Sequence, residues 1–247
     1  MSEVDIAIVL AASLAGAFIK SITGMGYPVV AVPLIALALG VEDAVVIVAA
    51  PNLAANIALC YRARDGRHGA RDLPRFLVFG AIGAAVGTVA LVMVPERILL
   101  AVLAVTVFAF IANALRNPEA RIAAPTAHRW TPAVGLLAGG MQGAVGVSGP
   151  VVGGWFHLYR LARESFVFSI TAVFGFTGAV QLGILAATGH YTLERAGVSA
   201  LAFIPVLAVI PVGARLRDRL GGAMFERAVL GVIALSGLAL IVDLLGG

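Results

Sequence analysis

The sequence predicts an all-α polytopic membrane protein made of two inverted-topology repeats. Each repeat is expected to hold a broken helix or hairpin plus three transmembrane helices, giving about 8 to 10 membrane segments. Three observations carry this expectation. Hydrophobic residues make up 61% of the 247 positions and charged residues 12%, where a soluble domain carries about a quarter charged residues. The apolar residues gather into runs near the ~20 residues that a helix needs to cross ~30 Å of hydrocarbon. The chain also repeats itself at a shift of 122 residues.

In order, the apolar runs are 6–39, 44–60, 76–94 and 98–115, then 131–158, 166–187, 197–214 and 225–245. The first four belong to a repeat over 1–122, the second four to one over 123–247, together a single integral membrane domain. The runs are rich in Ala, Leu, Val and Gly without polar–apolar alternation, so helices fit and an outer-membrane barrel does not. Twenty-nine glycines suit close helix–helix approach in lipid. The start, Met1-Ser2-Glu3-Val4-Asp5, lacks the basic region of a signal peptide, and the first run is expected to be retained. Cys60 is the only cysteine, which excludes intrachain disulfides and cysteine zinc clusters. The net charge of +4 comes from arginines in short loops, a pattern that sets membrane orientation and gives no nucleic-acid surface.

Two runs have awkward lengths. Residues 6–39 would make a helix of roughly 51 Å at ~1.5 Å per residue, too long for one crossing and too short for two with a turn. Each long run also contains a breaker, Gly24-Met25-Gly26-Tyr27-Pro28 in the first and Gly146-Val147-Ser148-Gly149-Pro150 in the second; glycine loosens a helix and proline removes a donor. If both runs cross once, the arginines divide nine against seven. If both fold back, the loops 61–75, 116–130, 159–164 and 215–227 share one side with fourteen arginines, and the other side keeps Arg97 and Arg195. The second division obeys the positive-inside rule. It predicts two hairpins, six full crossings and both termini outside the cytoplasm; ten segments with short full crossings would give the same sidedness. Arginine outnumbers lysine sixteen to one, in keeping with a GC-rich bacterium and its inner membrane.

At the shift of 122, Gly24 falls on Gly146, Pro28 on Pro150, Leu39 on Leu161, Glu42 on Glu164, His68 on His190 and Asp72 on Glu194. At a shift of 130, Glu96-Arg97 falls on Glu226-Arg227. Each half makes an odd number of passages, which inverts the second repeat.

The segment Gly16-Ala17-Phe18-Ile19-Lys20-Ser21-Ile22-Thr23-Gly24-Met25-Gly26-Tyr27-Pro28 has an echo in Ala138-Gly139-Gly140-Met141-Gln142-Gly143-Ala144-Val145-Gly146-Val147-Ser148-Gly149-Pro150. The pair resembles the glycine-rich motifs of the TauE/SafE family of sulfite exporters. Gly80-Ala81-Ile82-Gly83-Ala84-Ala85-Val86-Gly87 and Ile210-Pro211-Val212-Gly213-Ala214-Arg215 are similar too. The resemblance spans the whole chain and implies export or uptake of sulfite, sulfonates or related sulfur-containing anions. The first motif departs from the family pattern, which tends to have Gly-Gly where this chain has Tyr27-Pro28.

The residues alone point to a small anion. A half-helix that begins after a break presents free amides and a positive dipole end, and broken backbone is tolerable only in a protein-lined or watery cavity. The expected binding residues are Lys20, Ser21, Thr23, Gly24, Gly26, Asn52, Asn56, Gln142, Gly146, Ser148 and Gly149. Lys20, the only lysine, lies inside an apolar run one turn before the break, where an ionisable group is costly and functional by default. Gln142 is its equivalent at the shift of 122. Asn52 and Asn56 lie four apart and share a helix face, and Pro51 would open a local carbonyl. The same glycines would also serve tight packing alone, Lys20 would also snorkel from a cytoplasm-facing tip, and the asparagines would also bond helix to helix.

Thr171, Thr177 and Gln181 occupy the comparable helix of the second half. His157, near the end of the second hairpin, would carry a proton or, as such histidines more often do, sit at an interface, and His68 and His190, in loops on opposite sides, form no metal pair. Glu42 and Glu164 are conceivable gates or proton acceptors on opposite faces, or simply helix N-terminal acids. No run holds a carboxylate near its centre, no nucleophile–base pair stands out, and no GxxxxGK[ST] loop occurs, so neither an enzyme nor direct ATP drive is expected. No metal or cofactor is implied. The partners expected are the anion, the lipid bilayer, conceivably a coupling proton and a further copy of the chain. A channel, or an uptake permease for another small anion, shares the same features.

Overall fold

The computed structural model describes residues 1–23, 26–115 and 122–217, with 234, 237, 238 and 240–242; at 21–23, 110, 113–115 and 210–217 only the backbone is described. Every regular element among them is helical. In chain order these are α1 (Glu3–Thr23), α2 (Tyr27–Leu39), α3 (Val41–Arg62), a 3-10 turn (Arg64–Gly69), α4 (Leu73–Met93), α5 (Glu96–Leu115), α6 (Ala124–Val145), α7 (Gly149–Leu158), α8 (Arg163–Ala187) and α9 (Leu193–Arg217). The run 225–245 lies mostly outside the described residues. Among the described residues three helices, α3, α4 and α8, are long and apolar enough to cross a membrane by themselves.

Both long apolar runs break where glycine and proline interrupt them, and both fold back. Beside α1, a Cβ added at Gly16 would lie 2.6 Å from the Tyr27 carbonyl oxygen, and the Ser13 and Tyr27 hydroxyls are 3.2 Å apart. A continuous helix would hold residues 16 and 27 roughly 16 Å apart, so α2 runs back along α1. In the second run, Thr131 and Tyr159, far apart in sequence, bring their hydroxyls within 3.3 Å, and the Ile122 amide donates to the Leu158 carbonyl at 3.2 Å. The returning helices have 13 and 10 residues, roughly 20 and 15 Å, well short of the ~30 Å hydrocarbon core. The second hairpin starts earlier than its apolar run suggests: α6 begins at Ala124, not near 131. Pro125 at its first turn needs no amide partner there and presets φ, and this start continues a helix through the polar stretch His128-Arg129.

α2 is apolar around its whole circumference and buried accordingly, with Val29, Val30, Ala31, Val32 and Ile35 at 2% exposure or less. It forms one core with α1, α3 and α5; Phe76 of α4, Ala138 of α6, Phe156 of α7 and Val173 of α8 belong to a second. The closest helix pair is α4 with α6. Gly135, Gly139 and Gly143, four apart on α6, lie against the backbone of Gly80, Ala84 and Gly87 of α4, and Gly83 and Gly87 lie in turn against Leu136 and Gly140. A Cβ at Gly139 would stand 2.0 Å from the Gly80 carbonyl oxygen. Small residues at this spacing let backbones touch, which supplies the dispersion contact that holds helices together in lipid.

The bundle has two distinct ends. At one, Met1 pairs with Glu194, and Glu42 at the start of α3 meets His190 and Arg195. At the other, the 3-10 turn packs against the start of α8, where Gly66 faces the Glu164 backbone, and Asp72 accepts hydrogen bonds from His128 (2.7 Å) and Tyr159 (3.0 Å). Burial raises the pKa of the Tyr159 hydroxyl, and that hydroxyl is the donor to Asp72. The second end collects the loop arginines 62, 64, 67, 71 and 75.

Gly139→Ala should cost about 1–3 kcal/mol of stability, because the added methyl meets backbone and not a movable side chain. Gly183→Ala, on a helix position with nothing within 4 Å, should be neutral or stabilising. Thermal unfolding of the two purified variants in one detergent checks the contrast.

Candidate anion site at the helix breaks

Lys20 lies in the last turn of α1, three residues before the helix ends. It is 3% exposed. Its Nζ donates to Asn52 Oδ1 at 3.1 Å and to Asn56 Oδ1 at 2.8 Å, and Asn56 Nδ2 donates to Asn52 Oδ1 at 3.2 Å. Both asparagines sit halfway along α3, one turn apart on the face turned to α1. No carboxylate among the described residues pairs with Lys20. Its partners are two carboxamides, which solvate an amine but do not neutralise a charge.

The second break supplies the opposite wall. Gly146 takes the left-handed conformation (φ 69°) that ends α6, and Ser148 stands at the N-cap of α7. Ser148 Oγ donates to Gln142 Oε1 at 2.9 Å. Gln181 of α8 reaches across, its Nε2 donating to the carbonyls of Gln142 (2.9 Å) and Gly143 (3.0 Å), so the open carbonyl end of α6 is satisfied by a side chain. Gln142 Nε2 lies 3.4 Å from Gln181 Oε1.

Between these walls is a cavity of about 20 Å³, bordered by Lys20, Gly26, Asn52, Gln142, Ser148 and Phe174 among others. That is room for roughly one water. The N-termini of α2 and α7 both come to it, through Gly26 and Gly149, and neither has a side-chain cap. At Gly26 the backbone is left-handed (φ 105°), a conformation that glycine adopts without strain. One amine, carboxamide N–H groups, a hydroxyl and two helix N-termini converge here. Such a donor set suits an oxyanion. No group of three His, Cys, Asp or Glu among the described residues could hold a metal.

Of the residues expected at the site, Lys20, Gly26, Asn52, Gln142, Gly146, Ser148 and Gly149 border the cavity. Asn56 holds Lys20 from just behind it. The side chains of Ser21 and Thr23, and all of Gly24, lie outside the described residues. Thr171 and Thr177 donate to carbonyls one turn back in their own helix, the ordinary resolution for a buried hydroxyl in an α-helix. His157 has its Nε2 buried without a partner and does not border the cavity. Pro51 does free a carbonyl, but it is that of Ile47, four residues back, and Ser199 of α9 takes it at 2.7 Å; the proline therefore ties α3 to α9 and adds no polar lining. Glu42, with Asp43, holds Arg195 at one end of the bundle, and Glu164 lies at the other.

Gln181 and Phe174 are the residues with a larger part than sequence reasoning assigns them. Phe174 is the position onto which Asn52 falls at the shift of 122, so the repeat contained the signal. Gln181 has no such marker, since its link to α6 bridges 39 positions.

Asn56→Leu removes an acceptor from Lys20 and a donor from Asn52, and should cost about 1–3 kcal/mol. Adding Lys20→Met should recover part of that loss, because the amine that needed the acceptor is gone. A double-mutant cycle in thermal unfolding measures the coupling.

A family model described as "Sulfite exporter TauE/SafE" matches residues 8–240. No curated protein and no solved structure matches the chain.

Proposed function

We propose that this chain, which belongs to the sulfite exporter TauE/SafE family, is a secondary transporter that exports a small sulfur-containing anion, sulfite or an organosulfonate, across the bacterial cytoplasmic membrane. The observation that carries the reading is Lys20, buried with uncharged partners only, where two helix N-termini converge. A buried amine in that setting is electrostatically incomplete. An anion between the two breaks would complete it, with Gln142 Nε2 as a further donor and the Ser148 hydroxyl as another once it turns from Gln142 Oε1.

The carrier mechanism rests on an inverted repeat, which three features support. The bounds of α1 to α4 recur, offset by about 122, in α6 to α9. Helix α1 packs on α9 as α6 packs on α4, each pair joining one half to the other. Helices α3 and α8 run antiparallel, with Gly175 beside Asn56 and Gly66 beside Glu164. On this reading the two hairpins are re-entrant and meet at mid-membrane, the arginine-rich end faces the cytoplasm, and both termini lie outside. Alternating access would rock one half against the other. The cavity admits about one water, so an anion must widen it. Arg195 with Glu42 and Asp43 would hold the outer end shut until it does.

A channel is the second reading, and a cavity with room for only about one water disfavours it. The test is flux of labelled sulfite in proteoliposomes, with sulfate, thiosulfate, sulfoacetate and taurine as competitors. Saturable flux with counterflow is expected, and Lys20→Gln should lower it at least about tenfold, the loss of one charge-assisted contact. Non-saturating flux without counterflow would assign a channel. No flux above empty liposomes, from folded protein, would overturn the sulfur-anion assignment.

A further inference from the structure

Away from the anion site, α3, α4 and α8 enclose an open groove of about 520 Å³ on the outer face of the bundle. Its walls are almost wholly apolar, with Leu53 and Ile57 on one side and Phe168 and Phe176 on the other. Its floor is recessed because α8 presents small residues there, Ala172, Gly175 and Ala179. One charged group borders it. Arg64, at the first turn beyond α3, lies over the Tyr61 ring with its guanidinium carbon 4.6 Å from the centroid. No carboxylate among the described residues pairs with it.

We propose that this groove is a binding site for one anionic phospholipid of the inner leaflet, its phosphate on Arg64 and one acyl chain laid along α3 and α8. Length argues for a lipid over a helix of a second copy. From Leu53 of α3 to Arg64 just beyond its end, and from Phe168 to Ala179 of α8, the groove covers eleven residue steps, roughly 16 Å at ~1.5 Å per residue. That is about half of the ~30 Å hydrocarbon core, the depth of one leaflet, whereas a partner helix would need a seam across both. Charge argues for an anionic headgroup. The polar end is the arginine-rich end of the bundle, where Arg62, Arg64, Arg67 and Arg71 are all exposed, and basic clusters beside membrane helices attract anionic lipid. A guanidinium presents several donors to phosphate oxygens, and its stacking on Tyr61 holds it at the mouth of the groove.

The assignment does not depend on the transported substrate, and its test does not involve flux. Native mass spectrometry of the purified chain, after exchange into detergent with equal phosphatidylglycerol and phosphatidylcholine, reads retained lipid directly. One retained phosphatidylglycerol is expected, favoured at least about tenfold over phosphatidylcholine. Arg64→Gln should abolish that preference, whereas Arg67→Gln should leave it intact. Ala172→Phe, which fills the floor and spares Arg64, should lose the lipid as well. Equal retention of the two lipids, or a preference that survives Arg64→Gln, would overturn the proposal. So would a lipid-free dimer that Ala172→Phe converts to monomer, since a second copy would then occupy the groove.

Discussion

Two interruptions of helix inside the bundle impose the constraint from which the rest of the architecture follows. Hydrocarbon offers no partner for a bare amide or carbonyl, so each break must be enclosed by protein and its polar groups satisfied there. The enclosure is visible in who bonds whom. Gln181 of α8 takes the carbonyls at the end of α6. Ser199 of α9 takes the carbonyl that Pro51 frees in α3. Asn52 and Asn56 of α3 take the amine of Lys20 beside the first break. Each bond joins different helices, and two of the three join the first half of the chain to itself or to α9. Helices α3 and α8 accordingly stand at the centre, and the half-length helices α2 and α7 lean on them.

The glycines divide between two tasks that composition cannot separate. Those of α4 and α6 are spacers: their absent side chains let two backbones touch, as the 2.0 Å clearance at Gly139 requires. Gly26 and Gly146 have another task. They turn the chain in the left-handed region at the two breaks, which brings helix ends and not helix sides to the cavity. The glycine-rich motifs contain both kinds within a few residues, Gly143 and Gly146 being three positions apart.

Much of this was legible because membrane chemistry leaves strong marks. A lone lysine in an apolar run, and glycine with proline at the middle of an overlong one, are conspicuous in a chain with 12% charged residues. The fold-back was legible through arginine placement, a property of loops. What stayed hidden was pairing across the fold. Asn52 and Asn56 announce a shared face, but only tertiary packing turns that face to Lys20, 32 and 36 positions away. Pro51 announces a free carbonyl, but which neighbour claims it depends on where α9 lies. Gln181 looks like any buried amide until α6 ends beside it. The start of α6 differs from the apolar run for a local reason: Arg129 and His128 have the polarity of a loop, while Pro125 opens a helix ahead of them.

The smallness of the central cavity has an electrical consequence. A file of hydrogen-bonded waters conducts protons, and a carrier idle in a energised membrane must not hold one open. With space for about one water between the two breaks, this cavity holds no such file, and on the proposed carrier reading the resting molecule would not leak protons through it. On that reading Lys20 would serve the idle state as well as the loaded one, its amine clasped by two carboxamides beside a cavity with room for about one water.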